Sequence, residues 1–289
     1  MSLDAMLNED NLPCMYREEK MNYQVKWANK IEICAAALLM VTLFLGILPV
    51  SAQQKTKLFT NGRNEIHGGS AVVTETGQLD AYDGAEISSY DNSVIYAYDN
   101  CSVQAHGNSV VHAAAKATIK AQDNARIFAV NKATVDALGS ATVYAQDDVT
   151  VTARGNVTVF ANGSVTVKAY DDSSIVACGN VIVEAHGNSI VRAHDESKVT
   201  SYQSATVKAY DHSEVKALDT SVVEAYKHSV VVAAKTAEVT RNDQAKITYI
   251  SSPEETVVTS SHQTANSPAT VIPVAPVAPA TAQPDVKLK

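Results

Sequence analysis

From Leu79 to Ile250 the chain runs in octads without one insertion or deletion, as in VQAHGNSV (103–110), VTARGNVT (151–158), VEAHGNSI (183–190) and VKAYDHSE (207–214). With positions lettered a to h from Leu79, position a is Val or Ile in 21 octads and Leu in one, and position c is Ala in 18 of 22. Position g is Ala, Ser, Val or Cys at every occurrence between 85 and 245. Positions b, d and h take polar, charged and aromatic residues freely. An eight-residue apolar repeat fits no 3.6-residue helical period, and its turn residues would break every second helical turn. Strand alternation instead points g, a and c inward and h and b outward. Positions d-e-f then form the turn, with Asp-Asn, Gly-Asn, Gly-Ser or Asp-Asp at e-f in most octads. A strand of five residues cannot bury an apolar face alone, so the octads must stack. The expected fold is all-β, a parallel β-helix (β-solenoid) over 79–250.

The number of octads per coil is read from position e. Asp stands there at 99, 123, 147, 171, 195, 219 and 243, every 24 residues. That period predicts three octads per triangular coil and about seven coils, against a flat two-octad coil of 16 residues.

The flanks differ in character. Residues 33–48 (ICAAALLMVTLFLGIL) carry no charge, follow Arg17, Lys20, Lys26 and Lys30, and lead into Val50-Ser51-Ala52. Small residues at 50 and 52 suit a leader-peptidase site. The segment reads as a cleaved signal peptide, with an uncleaved signal anchor as the alternative and Met21 as an alternative start. In both readings the repeat is exported: secreted, periplasmic or on the cell surface. The membrane is involved only through this segment if it stays uncleaved. Residues 1–52 are thus the N-terminal region, and 53–78 a polar cap and transition into the repeat. Residues 251–289 hold six of the eight prolines among Ser, Thr and Ala, and read as a disordered tail.

The formal charge is −8, from 31 acids and 23 bases. Nucleic-acid binders carry basic stripes, so no nucleic-acid partner is expected. Cys14, Cys34, Cys101 and Cys178 show no metal-ligand spacing and suggest no disulfide framework. Nothing in the sequence calls for a cofactor.

The octads resemble the AYGNSxV-type repeats of bacterial secreted β-helix proteins, the group that includes adhesin heads and polymer-forming β-helices. The resemblance covers 79–250 and rests on the V-x-A-x-[DG]-[NDS] pattern. It implies the solenoid fold and a surface role in adhesion or envelope structure. Ice-nucleation octads favour T-x-T strands, which this chain has only at Thr150-Val151-Thr152.

Two constellations follow from stacking residues 24 apart. Tyr96, Lys120, Tyr144, Lys168, Arg192 and Lys216 would form an aromatic and basic strip able to bind a cell-envelope or host glycan. The alternative is an ordinary solvated face. Asp147, Asp148, Asp171, Asp172, Asp195 and Glu196 would gather at one corner, where hard cations such as calcium accept carboxylate ligands. The alternative there is a row of Asx turns. The six repeat-region histidines fall at scattered positions without ligand spacing. Catalysis finds little support, because octads without insertions supply no loops to wall a cleft. The sequence therefore predicts a displayed structural or adhesive solenoid that is not an enzyme. Its alternatives are a glycan- or cation-binding module and, more remotely, a polysaccharide-acting enzyme or an ice binder. Self-association is expected through exposed end coils.

Overall fold

A computed structural model describes residues 56–250. The apolar segment at 33–48, Cys14, Cys34 and the tail 251–289 lie outside the described residues. All 25 described elements are strands, from β1 (Lys57–Phe59) to β25 (Lys246–Ile250). Odd-numbered strands form one 13-stranded sheet and even-numbered strands form a second of 12. Every pairing is parallel and joins alternate strands, so the chain winds as a two-sided solenoid of about twelve coils.

The coil holds 16 residues across the repeat, which overturns the triangular coil of 24. In the odd sheet β13 (Thr150–Gly155) pairs with β15 (Thr166–Ala169), placing Thr150 beside Thr166 and Val151 beside Val167. In the even sheet β12 (Thr142–Gln146) pairs with β14 (Thr158–Asn162), placing Val143 beside Val159. The reason the 24-residue signal misled lies in position e. Its residues adopt left-handed backbone at both corners of the coil, with φ between 51° and 65° at 14 of the 15 non-glycine e positions from Asp83 to Asp243, Lys235 being the exception. Asp, Asn and Gly tolerate that region best. The demand is local and recurs at both corners, so the spacing of Asp carries no information about which octads stack.

Inward residues behave as the alternation requires. Strands such as Val94–Ala97 and Val110–Ala113 alternate partly exposed and buried positions. The a residues Ile95, Ile127, Val143 and Val159 and the c residues Ala97, Ala129 and Ala145 are fully buried in one continuous core between the sheets. Each Val or Ile hidden this way contributes about 1.5–3 kcal/mol. The small g and c residues flank the larger a side chain and let two sheets face each other without a third wall. Polar g residues are tolerated unevenly. Ser197 and Ser221 donate from Oγ to the carbonyls of His194 and Leu218 at 2.7 and 2.8 Å. Ser93, Ser109, Ser173, Ser189, Ser213 and Ser229 bury hydroxyls that make no hydrogen bond.

The solenoid begins before Leu79. β1 pairs with β3 (Ser70–Val73), and β2 (Arg63–His67) pairs with β4 (Gln78–Tyr82), so the polar stretch 57–73 supplies the first strands of both sheets. Coil size has a direct test. Cysteines at Thr150 and Thr166 would sit on directly paired neighbours, within the Cα reach of a disulfide. Mild oxidation should link that pair and leave Thr150→Cys with Ser174→Cys unlinked, read by peptide mapping. Linkage of only the second pair would restore the triangular coil.

Candidate functional site: an aromatic face

The two outer faces differ in chemistry. Between Val94 and Cys178 the outward h, b and d positions of the even sheet include one Lys, Arg, Asp or Glu, Arg126. Over the matching coils the odd sheet presents Lys120, Asp136, Arg154 and Lys168. Those charges pair across coils: Arg154 reaches Asp136 at 2.6 Å and Lys168 reaches Glu184 at 3.2 Å. Exposed pairs of this kind contribute little each, but they keep the odd face wet.

Stacking at 16 residues brings Tyr96, His112, Phe128, Tyr144 and Phe160 into one column on the even face. Successive ring centroids are 4.8, 4.9, 4.9 and 5.1 Å apart, with planes within 15° of parallel. The separation is the rise of one coil, so every strand adds one ring to the pile. Each inner ring has both π faces covered by its neighbours and turns its edge outward. Arg63 lies over the Tyr96 ring, 5.5 Å from its centroid, at the first end of the pile. Burial between Tyr96 and Phe128 pushes the His112 imidazole down to about 4, so this ring is neutral at physiological pH and joins the column as an apolar member. Shorter piles flank the column at position d: His67–Tyr82–Tyr98 and His194–Tyr210–Tyr226 on the even side, and Tyr170–His186–Tyr202 on the odd side.

The aromatic and basic strip expected from sequence does not exist as one surface. Tyr96, Tyr144 and Arg192 lie on the even sheet, and Lys120, Lys168 and Lys216 on the odd sheet, on opposite faces of the molecule. The residues that build the aromatic column beside Tyr96 and Tyr144, namely His112, Phe128 and Phe160, were not among the expected site residues. Their signal was present: position b is aromatic or His at 96, 112, 128, 144 and 160, a period of 16.

The acidic corner is likewise divided. Asp147 and Asp148 follow an even strand, as do Asp195 and Glu196 three coils later, whereas Asp171 and Asp172 follow an odd strand at the opposite edge. The carboxylates have a different occupation. Asp171 accepts a hydrogen bond from the backbone N–H of Gly155 at 3.0 Å, and Asp195 accepts one from Gly179 at 3.1 Å. Asp91, Asp123 and Asp219 do the same for Glu75, Gly107 and Gln203. In each case the acid at e caps the e amide of the coil before it. The sequence suggested bonds from each Asp to its own turn; the bonds run between coils instead. Among the described residues no three His, Cys, Asp or Glu side chains converge on a metal position.

A shallow concavity of about 470 Å³ runs along the even-strand corner, lined by Asp83, Gly84, Asp99, Asn100, Ala115 and Lys116. Its lining brings no nucleophile beside a base. The chain matches no known protein-family model, no curated protein and no solved structure.

Proposed function

We propose that this chain is a structural or adhesive β-solenoid displayed outside the cytoplasm, acting through its flat faces and not through catalysis. The observation that carries the reading is the chemical asymmetry of the two faces over the coils between Val94 and Cys178: one aromatic with Arg126 as its one charge, one carrying Lys120, Asp136, Arg154 and Lys168. A rigid slab with unlike faces suits a surface element that packs on one side and stays solvated on the other. Tight turns at both corners support the non-catalytic part, since catalytic groups need a walled site that excludes water. The apolar, leader-like segment at 33–48 supports export.

Fractionating cells that express the full chain, together with incubating the purified protein with envelope polysaccharides, tests this function. The expected result is protein outside the cytoplasm and no release of reducing ends. A cytosolic pool that is never exported, or sustained polysaccharide cleavage, would overturn it.

A further inference from the structure

Histidines that look scattered along the chain are brought together by the 16-residue coil. His212 and His228 both fall at position f, on successive coils of the even-strand corner, with ring centroids 5.5 Å apart. Every other stacked histidine among the described residues lies against Tyr or Phe. We propose that this pair is a chelating site for a divalent transition-metal ion, Cu²⁺ ahead of Ni²⁺ or Zn²⁺, held by one nitrogen of each imidazole.

Backbone bonds fix the spacing of the pair. The His212 N–H donates to the carbonyl of Asp195 at 3.0 Å, and the His228 N–H donates to that of Asp211 at 3.1 Å, the same bond repeated one coil later. The two Cα atoms are therefore held about one coil rise apart, about 4.8 Å. Both side chains are exposed at the turn, so neither must leave the core to reach an ion. The torsion that turns an imidazole ring is broad. The two rings can thus converge until a nitrogen of each stands about 2.0–2.1 Å from one ion. Once the first imidazole has bound, the second acts at high effective concentration, because the coil already holds it alongside.

Charge favours a cation at this corner. Glu196 precedes His212 in the f column, and Asp195, Asp211 and Asp243 occupy position e around the pair. Lys227 shares the corner, but its ammonium is held by Asp211 at 2.5 Å. Four carboxylates thus surround the pair against one lysine, and a cation gains from that excess. The nitrogens select which cation. Calcium and magnesium take oxygen ligands, whereas imidazole suits copper, nickel and zinc, with Cu²⁺ bound most tightly of the three. Two imidazoles with water in the remaining positions make such a site, so three converging protein ligands, which the described residues lack, are not needed.

Titration of the full chain with CuCl₂, followed by calorimetry and electron paramagnetic resonance, tests the inference. Wild-type protein should bind one Cu²⁺ ion with two-imidazole coordination. His212→Ala and His228→Ala should each abolish that signature and lower the affinity about 100-fold or more, because one imidazole alone does not chelate. The double substitution should lower it little further. Circular dichroism melts should not change, since both side chains are exposed. His106→Ala, on the opposite edge where the ring stacks on Tyr90, should leave binding intact. Excess CaCl₂ should not displace the copper. A wild type without the two-imidazole signature would overturn the proposal, as would a signature that survives either substitution. Losses from the two single substitutions that simply add would mean two separate ligands and no chelate, and displacement by calcium would put the ion on the carboxylates; either result overturns the site.

Discussion

Val159→Asp should abolish cooperative folding of the central coils. Val159 is fully buried at position a of the even sheet, stacked between Val143 and Ile175 with Val157 and Ala161 beside it in its own octads, and none of these can receive a carboxylate. An unpaired buried charge belongs to the small group of substitutions that cost more than about 4 kcal/mol. The effect spreads because each coil is stabilised only by its two neighbours, so a lost coil leaves two new unpaired ends. Far-UV circular dichroism melts and limited proteolysis should show a large loss. Thr158→Asp, one residue earlier and pointing outward, should change stability by no more than about 0.5 kcal/mol. Equal melts for the two variants would refute the inward assignment of position a.

Gly187→Val should be nearly as damaging for a different reason. Gly187 has φ +70°, and a Cβ placed there would lie 3.0 Å from the amide nitrogen of Asp171 and 3.1 Å from its Cα. Both atoms are backbone of the preceding coil and cannot move aside. A β-branched residue also pays about 1–2 kcal/mol for the left-handed conformation itself. Gly84 separates the two costs, because its φ is +72° and a Cβ there meets nothing within 4 Å. Gly84→Val should show the dihedral cost alone, and Gly187→Val a loss larger by about 2 kcal/mol or more. Equal losses in thermal melts would mean that coil-to-coil contact at the corner is looser than the structure has it.

Much of this fold is legible in the octads, because burial repeats with them. Val or Ile at a and Ala at c state which way each residue points, and the Asp, Asn and Gly at e state where the chain bends. Coil size is written elsewhere. A residue at e answers to its own backbone angle, so Asp99, Asp123 and Asp147 alternate between opposite edges while looking like one ladder. Outward residues answer to their stacked neighbours, so the count resides in them. Tyr96, His112, Phe128, Tyr144 and Phe160 repeat at 16, as do the pairs Lys168–Glu184, Lys198–Glu214 and Lys208–Glu224. These outer positions vary most in residue type, which hides their order behind the more uniform inner ones. The same step hides the site: a period of 24 picks out two of the five rings, Tyr96 and Tyr144, and joins them to lysines of the opposite face.

The corner carboxylates give the solenoid a direction in time. Where an Asp at e bonds a corner amide, the amide belongs to the coil before it: Asp171 serves Gly155, Asp195 serves Gly179 and Asp219 serves Gln203. At these corners a chain made or delivered from its N-terminus therefore ends in a coil whose amide waits for a residue not yet present. Arrival of the next 16 residues closes that amide, extends both sheets by one strand and lays one more side chain on the outer column. Elongation is then a sequence of identical small closures, each local in sequence and each sealing the one before. Such a rod can fold at the pace of its own emergence, with only the last strand of each sheet open to a stray partner at any moment.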